Sequence, residues 1–179
     1  MVYHKLTDQQ NLKLHRLLNA CVRYVFGNIP WTANVTPYRI ALGWLSVCRR
    51  REYFIASLAH RVTKYRTPSF LAEHLIPVST LPDIRRSARS GGGYFYEPLV
   101  RTDTLRYSFP QCAARVINSL GRLDLENLSA ESFKTLLRNT LFDRDRLDWL
   151  ERSHREGLIT IPPNLDSSLI LPNSLRPQL

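Results

Sequence analysis

Helical spacing of the apolar residues is the strongest constraint this chain carries. Leu14, Leu17, Leu18, Cys21, Val22 and Val25 recur at the i, i+3, i+4, i+7, i+8 and i+11 positions of one helix face. Thr7-Asp8-Gln9-Gln10 precedes them as a Thr-x-x-Gln capping box, in which a hydroxyl and an amide satisfy N–H groups at the helix start. Gly27 supplies a C-terminal stop. At roughly 100° per residue, Lys13, Arg16, Asn19 and Arg23 fall opposite the apolar stripe. The predicted helix therefore has one face to pack and one basic face to present.

The same punctuation repeats along the chain. Thr36-Pro37 starts a short helix to Leu42, with Thr36 as N-cap and Pro37 in the first turn, where a missing N–H does no harm. Ser46 caps the longest predicted helix, residues 47–65, whose apolar face is Val47, Phe54, Ile55, Leu58, Val62 and Tyr65. Thr67-Pro68 opens another short helix, to Leu75. Ser108 and Pro110 open one whose apolar side is Phe109, Ala113, Val116, Ile117 and Leu120. Ser129 caps a stripe of Phe133, Leu136, Leu137 and Leu141, and a separate last helix over residues 144–156 carries Leu147 and Leu150.

The fold class that follows is mainly α: a small multi-helix bundle with an irregular basic insertion and a disordered, Pro-containing C-terminal tail. Four regions are predicted. Residues 1–75 form a basic helical region. Residues 76–107 form an irregular, partly mobile insertion holding Pro77, Pro82, Gly91-Gly92-Gly93, Pro98, Arg85, Arg86 and Arg89, with Tyr94-Phe95-Tyr96 a candidate short strand. Residues 108–157 form the C-terminal helices. Residues 158–179 form the tail, where Pro162, Pro163, Pro172 and Pro177 exclude further helix.

Charge sharpens the reading. The 179 residues carry 25 Lys+Arg against 15 Asp+Glu, a net charge of +10. Residues 1–66 hold 11 of the basic residues and 2 of the acidic ones, while the remainder is nearly balanced. Such asymmetry points to a polyanion partner. Arg49, Arg50 and Arg51 lie in the first turn of a predicted helix, where cations oppose the macrodipole. An external anion or an acidic neighbour accounts for them better than local stability does. No stretch approaches the roughly 20 apolar residues of a membrane span, so no membrane partner is expected. The first residues lack an apolar signal core, so the expected location is intracellular, nuclear or cytoplasmic, and not secreted.

Catalytic chemistry is not visible. Cys21, Cys48 and Cys112 have no CxxC partner, and His4, His15, His60, His74 and His154 are not at ligand spacing from them, so no metal site and no cofactor are predicted. Ser90-Gly91-Gly92-Gly93 lacks the Lys-Ser/Thr of a phosphate-binding loop and reads as a hinge. Asp143, Asp145 and Asp148, interleaved with Arg144 and Arg146, read as a solvated helix start.

Several clusters stand in an order that matches a family. They are Asn19-Ala20-Cys21-Val22-Arg23-Tyr24-Val25-Phe26-Gly27, Thr36-Pro37-Tyr38-Arg39, Leu42-Gly43-Trp44-Leu45-Ser46-Val47 and Arg50-Arg51-Glu52-Tyr53-Phe54. Pro68-Ser69-Phe70-Leu71-Ala72-Glu73, Tyr107-Ser108-Phe109-Pro110, Ala113-Ala114-Arg115, Asn118-Ser119-Leu120, Ser132-Phe133-Lys134 and Leu141-Phe142 follow. Together they resemble the C-terminal, thumb and post-thumb region of reverse transcriptases from jockey-like non-LTR retrotransposons. The chain departs from that pattern at Ile117, where the family usually has Trp, and at Gly121, where it usually has Pro. The resemblance implies a chain that begins inside a longer reading frame and grips template and primer without performing chemistry. The family's catalytic Asp-Asp pair is absent, since no two Asp residues are adjacent.

The expected function is that of a catalytically inactive fragment resembling part of an RNA-directed DNA polymerase, not itself an enzyme, with residual sequence-independent nucleic-acid binding. Lys13, Arg16, Arg23, Arg49, Arg50 and Arg51 are the candidate phosphate contacts of an RNA or DNA backbone. Tyr24 and Tyr53 are candidates for base stacking, with a core position as the competing reading. The alternatives are a helical protein-interaction module, with an exposed anchor among Trp31, Trp44 and Trp149, or a translated relic without selected function.

Overall fold

A computed structural model describes residues 6–80, 94–121, 127–155, 162 and 165–170. The fold is mainly α, as the spacing predicts. The helices are α1 (Asp8–Phe26), α2 (Thr36–Ala41), α3 (Val47–Tyr65), α4 (Ser69–Ala72), α5 (Asp103–Arg106), α6 (Phe109–Ser119), α7 (Ala130–Arg155) and α8 (Ser167–Ile170), with a 3-10 turn at Val78–Thr80. Among the described residues there is no strand, only an antiparallel bridge between Pro77 and Phe95. No described helix is long and apolar enough to cross a membrane.

Local chemistry sets the helix ends. The Gln10 N–H donates to Thr7 Oγ1 at 3.3 Å and the Thr7 N–H donates to Gln10 Oε1 at 3.0 Å, the two halves of the capping box. Gly27 closes α1 at φ 71°, a left-handed angle that glycine adopts without a Cβ clash. The Ser46 hydroxyl accepts from the Arg49 N–H, and the Ser129 hydroxyl from the Ser132 N–H, so both predicted caps form. At α2 the cap shifts back along the chain. Thr36 is already helical, and Asn34 Oδ1 accepts its N–H at 2.9 Å.

Two compact units divide the chain, and they do not follow chain order. One is built on Leu6–Arg50 and Asn139–Leu179, the other on Arg51–Arg138. The predicted regions 1–75 and 108–157 are thus each shared between the units, and α3 and α7 each contribute to both.

In the first unit, Val22, Ile29, Val35 and Tyr38 form one buried cluster, with Phe26, Ala33, Leu42 and Trp44 packed against it. A second cluster is Ile40, Trp149, Leu150 and Ile170. The latter corrects the tail expectation. The prolines at 162 and 163 do not prevent a new turn of helix at α8, where Ile170 is fully buried and its carbonyl accepts from Arg146 Nε at 3.0 Å. Residues 158–161, 163–164 and 171–179 of the expected tail lie outside the described residues.

In the second unit, α3 buries Ile55, Ala56, Ala59, His60 and Val62, while Phe54 and Tyr65, expected in its apolar face, are exposed. His60 stacks flat on Phe133 of α7 at 4.2 Å. Phe95 is buried between two polar clamps. On one side the Tyr96 N–H donates to the Ile76 carbonyl and the Val78 N–H to the Tyr94 carbonyl, each at 2.9 Å. On the other, the Asn118 amide acts as a substitute strand: its Oδ1 accepts the Phe95 N–H and its Nδ2 donates to the Phe95 carbonyl, both at 2.9 Å. The described parts of 76–107 therefore have definite partners. Pro82, the triple glycine and Arg85, Arg86 and Arg89 of that insertion lie outside the described residues.

Two further expectations change. The two helices expected after Ser129 are one helix of 26 residues, because neither Gly nor Pro interrupts residues 130–155. The α1 stripe is buried along one border only: Val22 is buried and Leu18 half-buried, but Leu14, Leu17, Cys21 and Val25 are exposed. The packed line runs instead through Asn11, His15, Leu18, Val22 and Phe26.

Candidate nucleic-acid interface

The six cations singled out by charge have different fates in the fold. Arg23 projects from the last turn of α1 into the loop that follows. Its guanidinium donates to the carbonyls of Ile29 (3.1 Å), Pro30, Trp31 (3.1 Å) and Ala33 (3.1 Å). Arg is suited to this because its planar fork offers five donors in fixed directions. The guanidinium carbon also lies 5.1 Å from the centroid of the Trp31 ring. Arg23 thus organises residues 28–33, and its donors face carbonyls of the protein.

Arg49 pairs with Asp148 of α7, a half-exposed bridge of modest energetic weight. Its neighbourhood answers the dipole problem. Asp145 of α7 is buried, and its Oδ2 accepts the Ser46 N–H at 2.9 Å, directly before the first turn of α3. A carboxylate there complements the partial positive charge of a helix N-terminus. The same Oδ2 accepts from Arg39 Nη1 at 2.6 Å, and Arg39 also donates to the Trp44 carbonyl at 2.6 Å. Asp143, Asp145 and Asp148 are accordingly not at a helix start, and of the three only Asp145 is buried, while Asp143 and Asp148 are exposed. They lie well inside α7, with Asp145 and Asp148 holding arginines about a hundred positions away in sequence. Arg51, in the other unit, is half-buried.

Lys13, Arg16 and Arg50 remain solvent-exposed, and none has an ion-pair partner among the described residues. The only acid in the first turn of α1 is Asp8, and no other acid follows in that helix. Two aromatics are exposed near the C-terminal end of the same helix. Tyr24 is 89% exposed, so it is not in the core, and Trp31 is 87% exposed. Tyr53 is half-buried, with its ring edge-on to Phe54 at 5.6 Å. Trp44 is half-buried and Trp149 buried, so Trp31 is the exposed member of the three. The sequence held a signal for Tyr24. At about 100° per residue it falls within some 20° of Lys13 and well away from the packed side of α1.

Among the described residues no group of three or more His, Cys, Asp or Glu is placed to hold a metal ion. Burial pushes the Cys112 thiol above its ordinary value, with the Arg115 guanidinium opposing. That shift disfavours the nucleophilic thiolate. No family model, curated protein or solved structure matches the chain.

Proposed function

We propose that this chain is a non-catalytic helical domain that binds the backbone of nucleic acid, in the manner implied by its resemblance to the thumb region of non-LTR reverse transcriptases. It would act in the nucleus or cytoplasm. The observation that carries the reading is the solvent-facing pair Lys13 and Arg16 on a helix whose sole acid is at its start, in a chain of net charge +10. Arg50 is the third open cation. Arg23 and Arg49 leave the contact set, because carbonyls and Asp148 already engage them. Backbone neutralisation needs positive charge and no base-specific geometry, so the affinity is sequence-independent.

Binding of labelled duplex DNA, followed by anisotropy across a salt series, tests this. Each phosphate neutralised contributes about 0.9 to the slope of log affinity against log salt. Lys13→Gln, Arg16→Gln and Arg50→Gln combined should flatten the slope by up to about 2.7 and weaken unrelated sequences alike. An unchanged slope in the folded variant, or no binding by the wild-type chain at low salt, overturns the proposal.

A further inference from the structure

The geometry points to single-stranded nucleic acid, with bases stacked on Tyr24 and Trp31, as the form this surface selects over duplex. The inference rests on the nucleic-acid reading above and adds to it the class of strand and the residues that choose it.

Large aromatic side chains are usually well buried on average, yet these two are almost fully exposed. Trp31 is nevertheless held. Arg23 lies against its ring and bonds the carbonyl of Trp31 itself together with those of Ile29, Pro30 and Ala33. An exposed ring on a fixed loop loses little side-chain freedom when a ligand lands on it.

Helix geometry then relates the two rings. Arg23, under Trp31, and Tyr24 point about 100° apart around α1. The arc between them, followed back along the helix, contains Ala20, Arg16 and Lys13, all exposed. Lys13 lies about 16 Å along the axis from Tyr24, at roughly 1.5 Å per residue. The result is a strip with cations along its length, a small residue in its middle and an aromatic on each side of one end. Ala20 keeps the middle of the strip low.

The chemistry selects the strand. In a duplex the π-faces of the bases are covered by their neighbours, and two open rings have nothing to stack on. A single strand presents those faces while its phosphates reach Lys13 and Arg16, the combination found in sequence-tolerant single-strand binding. A protein hot spot would also use Trp and Tyr. The cations along the strip favour a polyanion over it.

The test uses the full chain with a labelled 12-nucleotide oligo-dT and a 12-base-pair duplex at equal salt. The wild-type chain should bind oligo-dT more tightly. Trp31→Ala and Tyr24→Ala should each weaken oligo-dT by a factor of about 5 to 150, the size of one base–aromatic stack, and leave duplex affinity within about twofold. Trp31→Phe should retain most of the affinity while removing the quenching of tryptophan emission by oligo-dT. Both alanine variants must keep the wild-type helical circular dichroism, which is expected because neither ring is in the core. Equal affinity of the wild-type chain for both forms, or alanine variants that bind oligo-dT unchanged, overturns the inference while duplex binding upholds the reading beneath it. Failure to bind either form overturns both and leaves the two rings to a protein partner.

Discussion

Removing the Asp145 carboxylate should be the most damaging single change in the first unit. The Arg39 and Asp145 side chains are only 8% and 11% exposed, and their bond is 2.6 Å. Asp145→Ala strips two donors at once, Arg39 Nη1 and the Ser46 N–H, and leaves a guanidinium charge in a site closed to water. Breaking one partner of a buried ion pair costs about 3–5 kcal/mol. At about 2–4 °C per kcal/mol for a chain of this length, the thermal midpoint should fall by about 6–20 °C. Trp149 is buried in the same unit, so its fluorescence follows the transition in urea. The double variant Arg39→Met with Asp145→Leu separates the burial of an unpaired charge from simple loss of a contact. It should be less damaged than Asp145→Ala, because a pair of apolar side chains is often close to neutral in place of a buried ion pair. Two results refute the reasoning: Asp145→Ala within about 1 kcal/mol of the wild type, outside the range for a broken buried pair, or a double variant whose loss equals the sum of its singles.

Three further outcomes are expected. Asn118→Ala leaves the N–H and C=O of buried Phe95 without their amide partner and should cost about 2–4 kcal/mol by denaturant midpoint, with Asn118→Asp closer to alanine than to wild type because a carboxylate cannot donate to the carbonyl. Arg23→Ala frees four carbonyls, so limited chymotrypsin should cut after Trp31 faster in the variant, and an unaltered rate contradicts the clamp. In thiol titration Cys21 and Cys48, which are exposed, should react ahead of buried Cys112. The folded Cys112 thiol holds its proton above the ordinary range, so its contribution to stability is complete below that range and is lost as pH rises through the folded value; Cys112→Ala should flatten this alkaline loss in a pH series of denaturant midpoints.

Capping and periodicity were legible because they are local. The Thr7 box, the Gly27 stop and the Ser46 and Ser129 hydroxyls each act within a few residues, and all four are in place. The orientation of α1 was not legible. Its apolar residues cover more of the helix than the neighbouring elements cover, and spacing alone does not say which border is packed. Nor did spacing reveal the continuity of α7. The polar run after Leu141 resembles a fresh helix start, whereas Asp145 is buried there because Arg39 meets it from more than a hundred positions away. The α8 turn was hidden behind two prolines, and its anchor, Ile170, is recognisable only beside Ile40, Trp149 and Leu150. Of the candidate interface, Lys13 and Arg16 were placed correctly on the exposed face, and Tyr24 could have been read from its angle beside Lys13. Trp31 was named as an exposed anchor only among three choices, since its exposure depends on the clamp made by Arg23.

Net charge overstates what this surface can offer to a polyanion. Arginine has enough donors to act as a structural part, and in the first unit it does so repeatedly. Arg23 closes a loop, Arg39 ties the Trp44 carbonyl to Asp145, and Arg146 bonds the Ile170 carbonyl while lying 5.7 Å from the Phe142 ring. Those cations still add to the field at long range, and so to the rate of encounter. They release few counterions on binding, because their donors already face carbonyls and carboxylates. Arg23 and Arg49 therefore hold the fold, and on the proposed reading Lys13, Arg16 and Arg50 meet the ligand. The salt slope counts only the second group. For Lys13, Arg16 and Arg50 on duplex DNA it is about 2.7, and for Lys13 and Arg16 on a single strand about 1.4. Both lie far below what a formal charge of +10 suggests. On the proposed reading, electrostatics this shallow would give the two rings their leverage: the smaller the shared backbone contribution, the larger the fraction of the affinity that the choice between single strand and duplex would control.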